Sequence, residues 1–138
     1  VINSAVWANP VGGQQTIFIF KGDDPVIELD ENAGISNAII AAGDRVRIGK
    51  NVNIGAGVKI YGTDFHSIDY QERMDDVGTK TAPVEIGDGA FVGAFSIVLK
   101  GVTIGERSVI GAGSLVAKDI PPDEIWGGNP AKPIRKLT

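Results

Sequence analysis

The chain has 138 residues, 43% of them apolar and 22% charged, a composition that suits one soluble globular domain. Its net charge of −4, from 13 basic and 17 acidic residues, argues against bulk nucleic-acid binding, which needs a basic face. There is no cysteine, which excludes disulfides, a thiolate nucleophile and thiolate-held metal, and no apolar run of about 18 residues that would span a membrane.

The chain starts at Val1 rather than methionine and shows no signal peptide, so it reads as a fragment or processed product with a truncated N-terminus. "ANPVGGQQ" (8–15) is expected to be a turn-rich lead. Two extended segments follow, "QTIFIF" (15–20) and "PVIELDENA" (25–33). From Ala42 the pattern becomes regular. Ala42, Ile48, Ile54 and Ile60 recur every six residues, and Gly43, Gly49 and Gly55 follow the first three. A second run comprises Ile86, Val92, Val98, Ile104, Ile110 and Val116, followed by Gly87, Gly93, Leu99, Gly105, Gly111 and Ala117. Two residues before each of these stand Val84, Ala90, Ser96, Val102, Ser108 and Ser114, all small or β-branched.

A period of six is neither a helix face nor a plain alternating strand. It suits a strand of three or four residues, a tight corner and another strand, with the aliphatic inward and a small residue at the turn. Stacked coil on coil, such strands bury a continuous aliphatic column. The strands of a β-sandwich would instead turn at irregular spacing, near about 8–12 residues. The spacing therefore predicts an all-β parallel solenoid, one domain over 1–138, with coils at about 16–60 and 86–120.

Ile60 and Ile86 are separated by four hexads plus two residues, so the phase is lost and residues 61–85 are predicted to form an inserted loop. It contains "YGTDFHSIDYQER" (61–73), with the only histidine of the chain, His66. A solenoid wall offers backbone and short side chains, so reactive groups have to project from such a loop. Histidine titrates nearest neutrality and suits general-base work. A carboxylate on its other ring nitrogen would orient it, and Asp64 and Asp69 flank it by two and three residues. The same acids also fit a solvated loop or turn caps. The region "KDIPPDEIWGGNPAKPIRKL" (118–137) holds four prolines and two glycines. It predicts a non-repetitive tail over 121–138, ending in a short helical turn and packed on the coils by Trp126.

The hexads, the "TDFHSID" loop and the ending "IGAGSLVAKDIPPDEIWGGNPAKPIRKL" together resemble the hexapeptide-repeat acyltransferases, over residues 16–138. Within that family "GISNAIIAA", "TDFHSID" and "IVLKGVTIG" look most like the bacterial polysaccharide O-acetyltransferases of capsule and lipopolysaccharide pathways, with galactoside and maltose acetyltransferases as close relatives. The resemblance implies a left-handed parallel β-helix, an exception to the right-handed crossover rule. It also implies a homotrimer with active sites at subunit interfaces, located in the bacterial cytoplasm. The implied reaction is acetyl transfer from acetyl-coenzyme A, with no metal, to a hydroxyl of a sugar or polysaccharide precursor. His66 would be the base in a direct attack, with Asp64 beside it, and Asn37 and Asp69 would contact the acceptor. Phe91 would wall the acyl site, and Ala94, Ala112 and Ala117 would lie along the groove for the pantetheine arm. Lys118, Lys132 and Arg135 would meet the coenzyme phosphates, in an end region 131–138 that carries no acid.

Other readings stay open at this point. Asn37 also fits an inward ladder or turn position, and the basic end also fits a solubilising tail. A non-catalytic β-helix module would have no use for the inserted loop. The β-helix carbonic anhydrases need three histidines per zinc, and this chain has one. An acetyltransferase acting on a xenobiotic, an amino sugar or serine differs only in the acceptor.

Overall fold

The computed structural model describes residues 1–3 and 15–138, so the lead expected at 8–15 falls almost entirely outside the described residues. The first half contains β1 (Ile2–Asn3), β2 (Ile17–Phe20), β3 (Val26–Leu29), β4 (Gly34–Ser36), β5 (Ile39–Ala42), β6 (Arg45–Ile48), β7 (Asn53–Ile54) and β8 (Lys59–Tyr61). A short helix, α1 (Tyr70–Met74), is followed by β9 (Val84–Ile86), β10 (Phe91–Val92), β11 (Ile97–Leu99), β12 (Thr103–Ile104), β13 (Val109–Ile110), β14 (Leu115–Val116), β15 (Glu124–Gly127) and β16 (Lys132–Lys136). Successive strands fall on successive faces of a three-sided solenoid. The first face is β1-β4-β7-β10-β13-β15-β16, the second β2-β5-β8-β11-β14 and the third β3-β6-β9-β12. Neighbours within a face are parallel, except that β16 runs antiparallel to β15.

The six-residue period is one side of this three-sided coil, so every third hexad stacks on the same face. Ile35, Ile54, Val92, Ile110 and Trp126 are in register on the first face. Ile40, Ile60, Val98 and Val116 are in register on the second. Ile48, Ile86, Ile104 and the bridged Ile120 complete the third. Apart from the partly buried Trp126, all of these are buried. Each contributes about 1.5–3 kcal/mol of burial, and together they form one dry column. The first run needs one correction. Ile40, not Ala42, takes the stacked position on the second face, because the Gly43–Asp44 corner makes the step from Ile40 to Ile48 longer than a hexad.

The glycines that follow the column residues serve close approach more than backbone freedom. A Cβ on Gly93 would lie 2.6 Å from the amide nitrogen of Ala112 and from the carbonyl oxygen of Ile110, one coil on. The left-handed backbone sits two residues later, at Gly57 (φ 72°), Phe95 (φ 61°) and Gly113 (φ 71°), which occupy the corner after the first face. The buried serines have a further use beyond small size. Ser96 and Ser114 both donate to the carbonyl of Gly111, at 3.1 and 2.6 Å, and Ser108 donates to that of Pro121 at 2.6 Å, satisfying corner carbonyls that no strand reaches.

The inserted segment leaves from β8 and re-enters at β9, so it spans 62–83, slightly inside the predicted limits, and it carries a helix that the sequence did not suggest. The column is undisturbed across it, since Ile60 and Ile86 keep their places under Val98 and Ile104. The tail also differs from expectation. Its β15 is a further rung of the first face, with Trp126 stacked on Ile110, and its end is the antiparallel β16 rather than a helical turn.

Candidate active site

The loop is closed at its base before it leaves the wall. Thr63 bridges Thr81, the Ala82 amide donates to the Gly62 carbonyl (3.2 Å), and the Asp64 amide donates to the Lys80 carbonyl (3.0 Å). The turn that carries His66 follows immediately. Phe65 has a left-handed backbone (φ 61°), which costs a bulky residue about 1–2 kcal/mol. Its surroundings hold it there. The Phe65 amide donates to Thr63 Oγ1 (3.1 Å), and its carbonyl accepts from Lys21 Nζ (3.2 Å) and Thr79 Oγ1 (3.3 Å). Its ring meets Tyr61 edge to face, with centroids 5.4 Å apart. The His66 amide then donates to the Asp64 carbonyl at 2.7 Å. The result is a fixed backbone from which the imidazole projects, its side chain 61% exposed.

Beyond His66 the loop is braced by its own polar groups. Asp69 caps α1 by accepting from the Glu72 amide (2.9 Å). Ser67 donates to Glu72 Oε2 (2.6 Å), and Arg73 Nη1 donates to the carbonyls of Ser67 (2.9 Å) and Ile68 (3.1 Å). None of the α1 residues is buried, and Ile68, Tyr70, Met74 and Val77 stand exposed around it.

Several expected site residues are placed differently from their assignments. Asp64 does not orient the ring, because its carboxylate is taken by Lys100 Nζ at 2.9 Å and only its carbonyl meets His66. The carboxylate near the ring is Asp76, with Oδ1 4.0 Å from His66 Nδ1. Asp69 is committed to capping α1. Asn37 is fully buried at a left-handed corner position (φ 46°), so it offers an acceptor no surface on this chain.

The groove residues fall into two groups. Ala117, Lys118 and Lys132 come together with Trp126 and Pro130 around a cavity of about 210 Å³. Phe91 stands exposed on the first face, with Ala94 and Ala112 at the corner beyond it, across the second face from that cavity. Arg135, on β16, donates to the Lys136 carbonyl (3.1 Å) and does not line the cavity. The cavity's apolar walls suit a thin pantetheine arm, and its two ammonium groups suit phosphate. Lys21, Thr79, Asp76 and Lys100 were not singled out from the sequence. Asp76 and Thr79 belong to the loop itself and meet the His66 turn through its fold, whereas Lys21 and Lys100 come from other coils and are brought there by the register of coils across the insertion. Among the described residues no group of His, Cys, Asp and Glu could hold a metal ion, and no helix is long and apolar enough to cross a membrane.

Comparison with known proteins agrees with the repeat and the fold. Residues 83–118 match the family model for bacterial transferase hexapeptide repeats, and residues 45–64 match that for the hexapeptide repeat of succinyl-transferase. A predicted acetyltransferase of Schizosaccharomyces pombe is 47% identical over 92 residues, which are 67% of this chain and 44% of that protein. The chain spans about half the length of the curated relatives it matches. Among solved structures, a hexapeptide-repeat acetyltransferase of Vibrio cholerae, complexed with acetyl-coenzyme A, superposes with a TM-score of 0.77 and 31% identity, covering 94% of this chain and 73% of that one. A maltose O-acetyltransferase of Clostridium difficile gives a TM-score of 0.71 and 34% identity, covering 94% and 72%. With a repeating column, a looped-out histidine and likeness along nearly its whole length, the chain belongs to the hexapeptide-repeat acetyltransferases and has their left-handed parallel β-helix fold.

Proposed function

We propose that the chain transfers an acetyl group from acetyl-coenzyme A to a sugar hydroxyl in surface-polysaccharide synthesis, with His66 as general base. The observation that carries this reading is the single imidazole, exposed on a turn whose backbone is tied on both sides. A hydroxyl is a poor nucleophile at neutral pH, so the base takes its proton as the oxygen attacks the thioester carbonyl. The carbon–sulfur bond then breaks, and the leaving thiolate takes the proton back from the imidazolium. The products are an acetyl ester and free coenzyme A, and no acyl-enzyme forms. The donor's arm and phosphates are assigned to the cavity of Ala117, Lys118 and Lys132. The solved relatives named for acetyl-coenzyme A and for maltose O-acetylation support this choice of donor and acceptor class.

We also assign a trimer with sites shared between subunits. The exposed apolar side chains around α1 support this, as a second copy would cover them. We also assign the reaction to the cytoplasm, and similar chains occur in fission yeast as well as in bacteria. A second reading, acetylation of an amino sugar, draws on a cavity of about 600 Å³ beside the loop. Asp23, Asp24 and Asp44 line it against the single cation of Lys21, which favours a cationic acceptor.

His66→Ala should lower kcat about 10²–10⁴-fold, the usual worth of one positioned base, while the affinity for acetyl-coenzyme A barely moves. The limb of the pH–rate profile that reports deprotonation of the base should disappear in the variant. A folded His66→Ala protein that acetylates its acceptor at the wild-type rate would end this reading. An acceptor panel of maltose, a methyl galactoside and glucosamine separates the hydroxyl from the amine reading.

A further inference from the structure

We infer that Lys100 is a positioning residue for the base, acting through Asp64 to fix the turn that carries His66 relative to the coil above. The inference rests on the proposed role of His66. The register that pairs Val98 with Ile60 sets Lys100 over the root of the loop. The register that pairs Val98 with Val116 sets Lys100 and Lys118 at the same corner of successive coils. Lys100 thus stands between the loop that holds the base and the cavity assigned to the donor.

The connection from Lys100 to the imidazole is short. Lys100 Nζ meets Asp64 Oδ1 at 2.9 Å, and both side chains are about 30% exposed, so solvent and salt screen the pair only in part. The Asp64 carbonyl accepts the His66 amide, while the Asp64 amide donates to Lys80. Asp64 is therefore held by its amide to the far side of the loop, by its carbonyl to His66, and by its carboxylate to the coil above. The other ties on this turn reach Thr63, Thr79 and Lys21, which belong to the loop's own stem or to the coil below. Lys100 is the tie that runs toward the donor. Without it the left-handed turn stays closed on itself but loses its bearing on the thioester, and transfer depends steeply on that distance.

The test is steady-state kinetics with acetyl-coenzyme A on the complete chain, using whichever of maltose, a methyl galactoside and glucosamine turns over fastest, alongside thermal melting. Lys100→Met should lower kcat about 10–100-fold, with KM for acetyl-coenzyme A within about threefold and little change in melting temperature. Lys100→Arg can still reach the carboxylate and should keep at least about a third of kcat. Asp64→Asn should lose about as much as Lys100→Met, and the double variant should be no slower than the slower single one, since both remove the same tie. A wild-type kcat for Lys100→Met, or losses that multiply in the double variant, would overturn the inference. Should Lys100→Met not fold, Asp64→Asn and Lys100→Arg decide it: a wild-type kcat for the first, or an arginine variant as slow as Asp64→Asn, overturns it. A slow His66→Ala beside a fast Lys100→Met removes the positioning role and leaves the base standing. A fast His66→Ala removes the base itself.

Discussion

Arg107 grips Asp123 with two nitrogens, Nε to Oδ1 at 2.6 Å and Nη2 to Oδ2 at 2.8 Å. Both residues have left-handed backbones (φ 58° and 59°) and occupy the corner where the third face passes into the first. The Asp123 amide donates to the Glu106 carbonyl (3.0 Å), and the Arg107 amide to that of Asp88 (2.9 Å), so the ion pair runs parallel to the backbone ladder and clips the tail to the coil beneath. The hydrogen bonds from Arg107 hold the Asp123 carboxyl below its ordinary value of 3.8.

A carboxyl depressed in the folded state adds stability above its unfolded pKa, and that stability disappears as the pH falls through the folded value. Asp123→Asn should therefore melt below the wild type at neutral pH, and the gap should close as the pH drops below 3.8. Because the pair is exposed, added salt should also narrow the gap. Melting curves over an acid series check this. A gap that widens toward low pH would contradict the assignment.

Two glycines should respond to alanine for different reasons. Gly93→Ala drives a Cβ into the backbone of Ala112 and Ile110, at 2.6 Å, where nothing can yield cheaply, and should cost about 1–3 kcal/mol. Gly113→Ala meets nothing within 4 Å but must hold φ near 71°, which should cost about 1 kcal/mol. Asparagine tolerates the left-handed region and should recover part of the second loss and none of the first. Urea midpoints of the four variants measure this, and equal recovery at both sites would refute the distinction.

The proposed assignment of the donor to the cavity of Lys118 and Lys132 predicts a graded response among the cations of the tail and last coil. Lys118→Ala and Lys132→Ala should each raise KM for acetyl-coenzyme A about ten- to a hundredfold, since a charged hydrogen bond to phosphate is worth about 1.5–3 kcal/mol. Arg135→Ala should have a smaller effect, because its guanidinium is outside that cavity and donates to a neighbouring carbonyl. Saturating rates should change little, as the phosphates do not react. A larger effect at Arg135 than at either lysine would place the phosphates elsewhere.

The column was legible in the sequence because burial in this fold repeats at one spacing, and Ile86 through Val116 keep that spacing without error. The first run was misread at Ala42, since a longer corner shifts the phase while leaving a small apolar residue where the hexad expects one. The glycines gave the right corners for an incomplete reason. Their positions follow from contact between coils, which a pattern along one chain does not contain. The loop was found as a loss of phase, but α1 was not, because five residues with no buried face leave no apolar period to detect. Asp64 shows the same limit at the site. Its nearness to His66 along the chain suggested a contact with the ring, whereas a lysine thirty-six positions later takes its carboxylate. Pairings of that kind depend on how coils align across an insertion of unknown shape.

The closed stem at Thr63 and Thr81 makes the segment between them, apart from the tied turn at Asp64–His66, an interchangeable cassette. Its ends are as near as adjacent strands, and the coils above and below keep their register whatever lies between. Lengthening it costs little, about 0.6 kcal/mol for each doubling of a flexible loop. A lineage could therefore lengthen, shorten or replace the part of this segment beyond the His66 turn, and so change what stands beside the imidazole, without asking the aliphatic column to refold. Selection can act on acceptor preference and on stability through separate sets of residues, which gives a plain structural reason for one scaffold to accumulate many specificities.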